Sequence, residues 1–200
     1  MSAFTLPSRY PGLFWMSKFI GPYFPKTKYY VEPFSGLART AKHSRSKIMI
    51  LNDKSEYSNY YCRKKYPKAI IENMDFEKTL KKYDGPDTFF LIDPPWRIDF
   101  YQGRGMTSRS GQGITGGYID RTAAQYLTDL KKILPLIKGP YIVTLPTHFS
   151  CRKSKGKMVF PAEYSKILRS PKPFMFGNHA STVLFSNKPL KIQVPQITDF

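Results

Sequence analysis

The chain has 200 residues, which is enough for one domain with a substantial hydrophobic core. Its 41% hydrophobic and 16% aromatic content is typical of a folded globular protein and excludes a disordered one. Lys and Arg number 32 against 14 Asp and Glu, and this excess of positive charge favours a polyanionic partner. An anionic membrane surface would also attract it, and a basic protein without a specific polyanion is the remaining alternative.

Cys62 and Cys151 are too few for a disulfide framework and lack the spacing of a metal site, so we expect free thiols and no bound metal. Residues Met1 to Pro7 show no basic start followed by an apolar run. No segment is apolar over the length needed to span a bilayer. We therefore expect a cytoplasmic protein without a membrane partner.

Apolar runs alternate with helical patterns over most of the chain. The predicted strands of this region are Tyr29 to Val31, Lys47 to Leu51, Ala69 to Ile71, Thr88 to Ile92 and Pro140 to Leu145. The predicted helices are Leu13 to Phe24, Lys54 to Tyr66, Phe76 to Tyr83 after Asp75 as N-cap, and Ile119 to Ile137. This alternation indicates parallel strands joined by right-handed crossovers, hence an open α/β sheet in one domain over residues 1–200.

The end of the chain has a different pattern. Phe174-Met175-Phe176 and Ser181 to Phe185 are apolar runs separated by Gly177-Asn178-His179. This arrangement is typical of two strands joined by a turn. We expect an antiparallel hairpin at the edge of the sheet.

A strand, an acidic residue and a tight turn follow one another in Tyr30-Val31-Glu32-Pro33-Phe34-Ser35-Gly36. In an open α/β sheet, a nucleotide-like ligand binds in the crevice at the carboxyl ends of the strands. Gly36 would let the backbone approach such a ligand where a side chain would clash. An ordinary βα turn is the alternative for this segment.

Asp53 stands at the end of the next apolar run, 17 residues after Gly36. A carboxylate at this place can accept hydrogen bonds from both ribose hydroxyls of a nucleoside. An Asp after a strand is also a common helix N-cap, and that is the alternative for Asp53 taken alone.

Asp93-Pro94-Pro95-Trp96 follows the run Thr88 to Ile92, which is apolar throughout, as expected for a strand buried on both faces. Two prolines hold the turn rigid and leave carbonyls that no helix uses. Asp93 and the Pro94 carbonyl can each accept a hydrogen bond from an N–H of an amino group on a heteroaromatic ring. These two bonds would direct the lone pair of the amino nitrogen at a sulfonium methyl group. A base extruded from its stack can be held against Trp96. A rigid structural turn is the alternative.

These segments resemble, in the same order, the motifs of the Dam-like family of N6-adenine DNA methyltransferases. The matching stretches are Arg9-Tyr10-Pro11-Gly12, Val31 to Gly36, Asn52-Asp53, Asp75-Phe76 and Asp93 to Trp96. The resemblance implies a Rossmann-like methyltransferase fold with a mostly parallel seven-stranded sheet. It also implies S-adenosylmethionine as methyl donor and N6 of adenine in DNA as acceptor.

The resemblance implies residue roles by position. The methionine end of the donor would be lined by Tyr10, Glu32, Pro33, Phe34, Ser35 and Gly36. Asp53 would hold the ribose, and Asp75 with Phe76 would hold the donor's adenine. The target base would be held by Asp93, Pro94, Pro95 and Trp96, with Asp93 also bordering the donor.

Three departures from the family pattern limit these roles. Leu13-Phe14-Trp15 stands where the family has a further Gly and a Lys, and Ala38 stands where it has a second turn glycine. Only 18 residues separate Asp75 from Asp93, where Dam-like enzymes carry a target-recognition segment. We therefore expect charge to supply most of the affinity, with relaxed sequence specificity or a separate specificity partner.

Residues predicted to contact nucleic acid follow the catalytic turn and the fifth strand, in the glycine-rich segment Gly103 to Gly117 and the basic segment Cys151 to Lys157 among others. They are Arg97, Arg104, Arg109, Arg152, Lys153, Lys155 and Lys157. DNA is the favoured nucleic acid. Methylation of RNA or of cytosine N4, and a catalytically silent nucleic-acid-binding module, remain alternatives.

Overall fold

The computed structural model describes residues 17–95, 121, 123–146, 163–169 and 181–192. The strands are β1 (Tyr29–Glu32), β2 (Ile48–Asn52), β3 (Ile70–Glu72), β4 (Thr88–Ile92), β5 (Tyr141–Pro146), β6 (Tyr164–Arg169) and β7 (Ser181–Ser186). The α-helices are α1 (Ser17–Ile20), α2 (Glu56–Lys65), α3 (Phe76–Tyr83) and α4 (Ala123–Ile133). Short 3₁₀ helices cover Gly21–Tyr23, Ala41–His43 and Leu134–Leu136.

The strands form one seven-stranded sheet in the order β3-β2-β1-β4-β5-β7-β6. The first five strands in this order pair in parallel, whereas β7 is antiparallel to both of its neighbours. The chain moves outward from β1 to β3 and then returns to the other side of β1 with β4. This confirms the predicted fold class, and it creates a crevice between the carboxyl ends of β1 and β4, where ligands bind in sheets of this type.

The C-terminal hairpin uses a different first strand from the predicted one. β7 pairs with β5 along one edge and along the other with β6, a strand that was not predicted. Residues 174–176 themselves lie outside the described residues. The side chains of β6 from Tyr164 to Ile167 are exposed. A strand at the rim of a sheet buries little, so its sequence lacks the apolar density that marks the inner strands.

Two hydrophobic clusters cover the two faces of the sheet. On one face, α3 and α4 pack through Phe76, Leu80 and Tyr126. On the other face, α2 and the 3₁₀ helix Ala41–His43 pack through Cys62 and Ala41. All five residues of β4 are buried, as its uniformly apolar sequence predicts. Burial of each large apolar side chain stabilises the fold by about 1.5–3 kcal/mol.

The helices lie close to their predicted positions. α3 has the predicted bounds and the predicted N-cap, because the Asp75 carboxylate accepts a hydrogen bond from the Glu77 N–H at 3.0 Å. The long helical pattern after residue 119 ends as α4 at Ile133 and continues as a 3₁₀ turn that contains Pro135, which cannot donate the next helical hydrogen bond. Among the described helices, none has the length and hydropathy needed to span a membrane.

Candidate active site

The turns that follow the parallel strands meet at one end of the sheet. We call this end, where β1 to β5 finish, the carboxyl edge, and the end where they begin the amino edge. The turn after β1 and the turn after β2 are joined directly, because the Ser35 N–H donates to the Asn52 carbonyl at 2.8 Å. Glu32, Gly36, Asp53 and Asp93 all lie at the carboxyl edge.

The turn at Gly36 is held on both sides of the residue. Its φ of 49° lies in the left-handed region, where glycine has no steric penalty. The Gly36 N–H donates to Asp53 Oδ2 at 2.7 Å, and its carbonyl accepts from Cys62 Sγ at 3.4 Å. The backbone at Gly36 is therefore fixed between the end of β2 and the buried face of α2.

Ala38 adopts the conformation for which the resembled family uses its second turn glycine. Its φ is 45°, and its side chain is fully buried in the cluster on the α2 face. A left-handed conformation costs a non-glycine residue about 1–2 kcal/mol. The Tyr66 hydroxyl donates to the Ala38 carbonyl at 2.8 Å, which helps to hold the residue in place. The turn thus contains a left-handed residue at Ala38 although this residue is not a glycine.

Asp53 connects the glycine turn to the start of α2. Its Oδ2 accepts from the Gly36 N–H, and its Oδ1 accepts from the Ser55 N–H at 2.8 Å. The N-cap of α2 is Ser55, so the alternative interpretation of Asp53 as the N-cap is wrong. The carboxylate is 1% exposed and lies where the sequence predicts a ribose contact. That contact stays a prediction.

Asn52 ties three turns together, a role that the sequence analysis did not assign to it. Its side-chain amide donates to the Pro33 carbonyl at 2.9 Å and to the Met74 carbonyl at 3.0 Å. Its Oδ1 accepts from the Met74 N–H at 2.9 Å. These three hydrogen bonds hold the turns after β1 and β3 against the end of β2, so Asn52 orders the carboxyl edge. In the sequence, the signal for this role was an Asn at the end of a predicted strand.

Glu32 is a buried carboxyl group, 3% exposed, at the end of β1. Its Oε1 accepts hydrogen bonds from the Tyr30 hydroxyl and, at 2.9 Å, from the Thr40 hydroxyl. Burial raises the pKa of Glu32 to about 7, against the lowering effect of these hydrogen bonds, and the nearby charge of Asp93 raises it further. Glu32 and Asp93, from neighbouring strands, are therefore close enough to interact.

Asp93 follows β4 directly, and a residue of the adjacent strand orients it. The Thr144 hydroxyl donates to Asp93 Oδ1 at 2.8 Å, and Thr144 is fully buried in β5. Pro94 is buried and Pro95 half-buried. Thr144 was not among the predicted site residues, because its partner depends on the register of β4 and β5, in which Ile92 faces Val143.

Asp75 and Phe76 stand at the start of α3. The Asp75 carboxylate lies 3.0 Å from Lys54 Nζ and 3.3 Å from a guanidinium nitrogen of Arg121. Phe76 is 1% exposed and stacks on Phe34, with ring centroids 5.0 Å apart. The Arg121 guanidinium lies over the Phe76 ring, 5.4 Å from its centroid. Contact between Phe76 and a donor adenine would require this cation to move aside, and the contact stays a prediction.

Several predicted site residues lie outside the described residues. They are Tyr10, Trp96, Arg97, Arg104, Arg109, Arg152, Lys153, Lys155 and Lys157. The described part of the candidate site therefore consists of the glycine turn, Asp53, the start of α3 and the turn at Asp93.

No protein-family model matches the sequence, and no curated protein matches it. The structure is similar to that of an rRNA methylase from Streptococcus thermophilus, with 10% sequence identity and a TM-score of 0.51 over 92% of this chain and 100% of that chain. It is also similar to a candidate S-adenosylmethionine-dependent methyltransferase from Streptococcus mutans, with 12% identity and a TM-score of 0.51 over 84% of this chain and 47% of that chain. At these identities the likeness shows the fold, and the chain has the Rossmann-like fold of these methyltransferases.

Proposed function

We propose that the chain is an S-adenosylmethionine-dependent methyltransferase that acts on an exocyclic amino group of a nucleic-acid base, with N6 of adenine in DNA as its substrate. The position of Asp93 carries the proposal. This carboxylate stands at the point where the strand order reverses, is oriented by Thr144, and shares the carboxyl edge with the turn at Gly36. Its proximity to Glu32 supports a base site and a donor site that adjoin.

The side chains at the carboxyl edge suit a cationic donor. S-adenosylmethionine has an ammonium group and a sulfonium centre, and Glu32 places a carboxyl group beside the crevice. Gly36 presents no Cβ at the turn, so the backbone can lie against the ligand. Asp53 would hold the ribose with the same carboxylate that orders the turn. These features support Glu32, Gly36 and Asp53 as donor contacts.

The Asp-Pro-Pro turn would activate the acceptor amine. The bound donor supplies an electrophilic methyl group. An amine on a heteroaromatic ring is a weak nucleophile, because its lone pair is delocalised into the ring. Asp93 and the Pro94 carbonyl would each accept a hydrogen bond from one N–H of the amine and so localise the lone pair on its nitrogen. The methylated nitrogen loses its proton readily, so the reaction needs no strong base.

The described part of the site provides little means of recognising a sequence. Where Dam-like enzymes carry a target-recognition segment, this chain has α3, a four-residue turn over 84–87 and β4. The compact connection supports affinity that depends mainly on phosphate contacts. It also makes RNA a second candidate substrate, because single-stranded RNA presents its bases without the need to open a duplex.

Transfer of a labelled methyl group tests the proposal. The protein would be incubated with S-adenosylmethionine labelled in the methyl group and with DNA or RNA, and the nucleosides from a complete digest would be separated. We expect label in N6-methyladenine from DNA. Label in N4-methylcytosine or only in RNA would correct the acceptor. Binding of nucleic acid without binding of the donor in a calorimetric titration would refute methyl transfer altogether.

The variant Asp93→Asn separates catalysis from binding. It keeps the size of the side chain and an acceptor for the Thr144 hydroxyl, but it removes the negative charge that engages the amine. We expect methyl transfer to fall at least about a hundredfold while the Kd for the donor stays within about twofold. Full activity in this variant would show that Asp93 is not the group that acts on the base.

A further inference from the structure

Exposed lysines precede the parallel strands at the amino edge. They are Lys28 before β1, Lys47 before β2, Lys68 before β3 and Lys138 before β5. The strand register places these turns side by side, since Tyr29 faces Ile48 and Ile50 faces Ile70. The Lys28 carbonyl also accepts directly from the Ile48 N–H at 3.1 Å. The four lysines therefore form a row along the amino edge that is interrupted before β4, where Asp84 and Asp87 stand.

The described helices that return from the carboxyl edge add cations at the same end. The exposed residues in their last turns are Arg63, Lys64, Lys81, Lys131 and Lys132. Lys65 and Lys82 of the same turns are directed elsewhere, to the Leu37 carbonyl and to Glu72. Cations near a helix C-terminus are favoured by the helix dipole, which accounts for these residues. The dipole does not account for the row before the strands, because those lysines lie outside the helices.

Acidic residues are fewer than basic ones at the amino edge among the described residues. Glu163 precedes β6 there, and Asp129 of α4 lies 3.9 Å from Lys132. The turn before β4 carries Asp84 and Asp87, and the Asp84 carboxylate accepts from the backbone N–H groups of Lys138 and Gly139 at 2.9 and 3.1 Å. The carboxyl edge holds Glu32, Asp53, Asp75, Glu77 and Asp93, where Lys54 and Arg121 pair with Asp75. Basic residues thus outnumber acidic ones at the amino edge within the described part of the chain.

We infer that the amino edge binds the phosphate backbone of a nucleic-acid segment other than the one whose base enters the crevice. A row of mobile, strongly hydrated lysine ammonium groups suits phosphates that are contacted without regard to sequence. The five parallel strands span about 19 Å from side to side, which is comparable with the width of a duplex. One molecule could then bridge two segments. The inference rests on the proposed function in that nucleic acid occupies the crevice.

A bridging assay without donor tests this inference. A biotinylated 30-base-pair duplex on beads would be incubated with the protein and then with a fluorescent duplex of unrelated sequence. The variant Lys47→Gln/Lys68→Gln removes two charges of the row, and Lys78→Gln/Lys166→Gln removes two exposed charges elsewhere, in α3 and in the middle of β6. We expect the first pair to lower capture of the fluorescent duplex at least about fivefold and the second pair to leave it within about twofold.

The salt dependence of binding gives a second measurement on the same proteins. The plot of log K against log salt has a negative slope, and removing one lysine that neutralises a phosphate reduces the magnitude of that slope by about 0.9. We expect the edge pair to lower the slope for total duplex binding by about 2 and the control pair to lower it by much less. Equal effects of the two pairs, or unchanged bridging in the edge pair, would overturn the inference.

Two further outcomes separate this inference from its alternatives. Salt-sensitive cosedimentation with vesicles of phosphatidylserine and phosphatidylcholine, without bridging of duplexes, would assign the edge to an anionic membrane and overturn the inference. Bridging that needs Lys47 and Lys68 in a protein that never transfers methyl would support the inference and refute the proposed function. The two proposals can therefore fail independently.

Discussion

The Thr144 hydroxyl and the Asp93 carboxylate form a 2.8 Å hydrogen bond that joins β5 to the turn after β4. Thr144 is fully buried and Asp93 is half-buried, so the bond has one end in the core and the other at the crevice. A carboxylate that would bind an amine has to keep one orientation, and this bond restricts its rotation. Thr144 is therefore a positioning residue for the proposed reaction.

Replacement of Thr144 with valine tests this role. Thr144→Val keeps the shape of the side chain and removes the donor, so Asp93 loses a hydrogen bond to a charged group, worth about 1.5–3 kcal/mol. We expect kcat for methyl transfer to fall about tenfold or more, with the Kd for the donor unchanged. Steady-state kinetics and donor titration measure the two quantities.

Two companion variants distinguish positioning from a general structural effect. Thr144→Ser retains the hydroxyl and should restore most of kcat. Thr88→Val removes another buried threonine hydroxyl at the opposite end of β4 and should leave kcat unchanged. A serine variant as slow as the valine variant would show that packing, and not the hydrogen bond, governs the rate.

Asp53 should matter for both folding and donor binding. Asp53→Asn keeps one acceptor oxygen but turns an amide N–H toward either the Gly36 N–H or the Ser55 N–H, so one of these two bonds is broken. We expect the free energy of unfolding to fall by about 1–3 kcal/mol. Donor affinity should fall as well, because the glycine turn loosens. Asp87→Asn, at an exposed residue of the amino edge, is the matched control and should change neither quantity. Unchanged donor affinity in Asp53→Asn, measured well below the unfolding transition, would remove Asp53 from the donor site.

Glu32 should make stability depend on pH. Its pKa is raised by burial from 4.5 to about 7, so the folded state binds this proton more tightly than the unfolded state does. The resulting stabilisation is fully present below pH 4.5 and is lost as the pH rises through 7. Glu32→Gln mimics the protonated group and can still accept from the Tyr30 and Thr40 hydroxyls.

Urea unfolding at two pH values measures the effect of Glu32→Gln. Relative to the parent chain, the variant should gain about 3 kcal/mol in unfolding free energy between pH 4 and pH 8. The sign follows from the parent chain, which must accommodate a buried negative charge at the higher pH. A constant difference between the two proteins across this range would mean that Glu32 ionises as an ordinary glutamate.

Gly139 should not tolerate a side chain, whereas Gly85 should. A Cβ at Gly139 would lie 2.4 Å from the Thr88 carbonyl oxygen, at the start of β4, and 2.8 Å from the Gly85 carbonyl oxygen, in the turn before it. At Gly85 a Cβ would meet nothing within 4 Å. We expect Gly139→Ala to lower the free energy of unfolding by about 3 kcal/mol and Gly85→Ala to change it by at most about 1 kcal/mol. Thermal unfolding of the two variants measures this difference. Equal losses of unfolding free energy in the two variants would contradict the close contact between Gly139 and the Thr88 and Gly85 carbonyls.

The sequence predicts the inner strands because they are buried on both faces. β4 was located to the residue, since Thr88 to Ile92 is apolar without interruption and the proline turn ends it. β6 was not predicted, because its side chains are exposed and its sequence is less apolar than the run at 174–176. Hydrophobic periodicity reflects burial, so it predicts strands at the rim of a sheet less well than buried inner strands.

The candidate site was predictable to the extent that its residues are consecutive in the chain. Gly36 and Asp93 stand in short motifs, whereas the partners that hold them come from other strands and helices. Thr144 reaches Asp93 across 51 residues and Cys62 reaches Gly36 across 26. Such pairs depend on strand register and helix packing, and a pattern within one segment does not contain that information. The sequence also left open whether Asp53 caps α2, and the structure shows that the N-cap is Ser55, two residues further on.

The thiol of Cys62 lies beneath the glycine turn, with its pKa raised by burial to about 12. A thiol in this state reacts with alkylating reagents only after α2 has moved away from the turn, because the thiolate is the reactive form. The rate of iodoacetamide labelling at Cys62, followed by mass spectrometry of the peptide that contains it, therefore reports how often the turn opens. A ligand that binds against Gly36 should slow this labelling, so the labelling rate of Cys62 would measure how much of the protein has its crevice occupied.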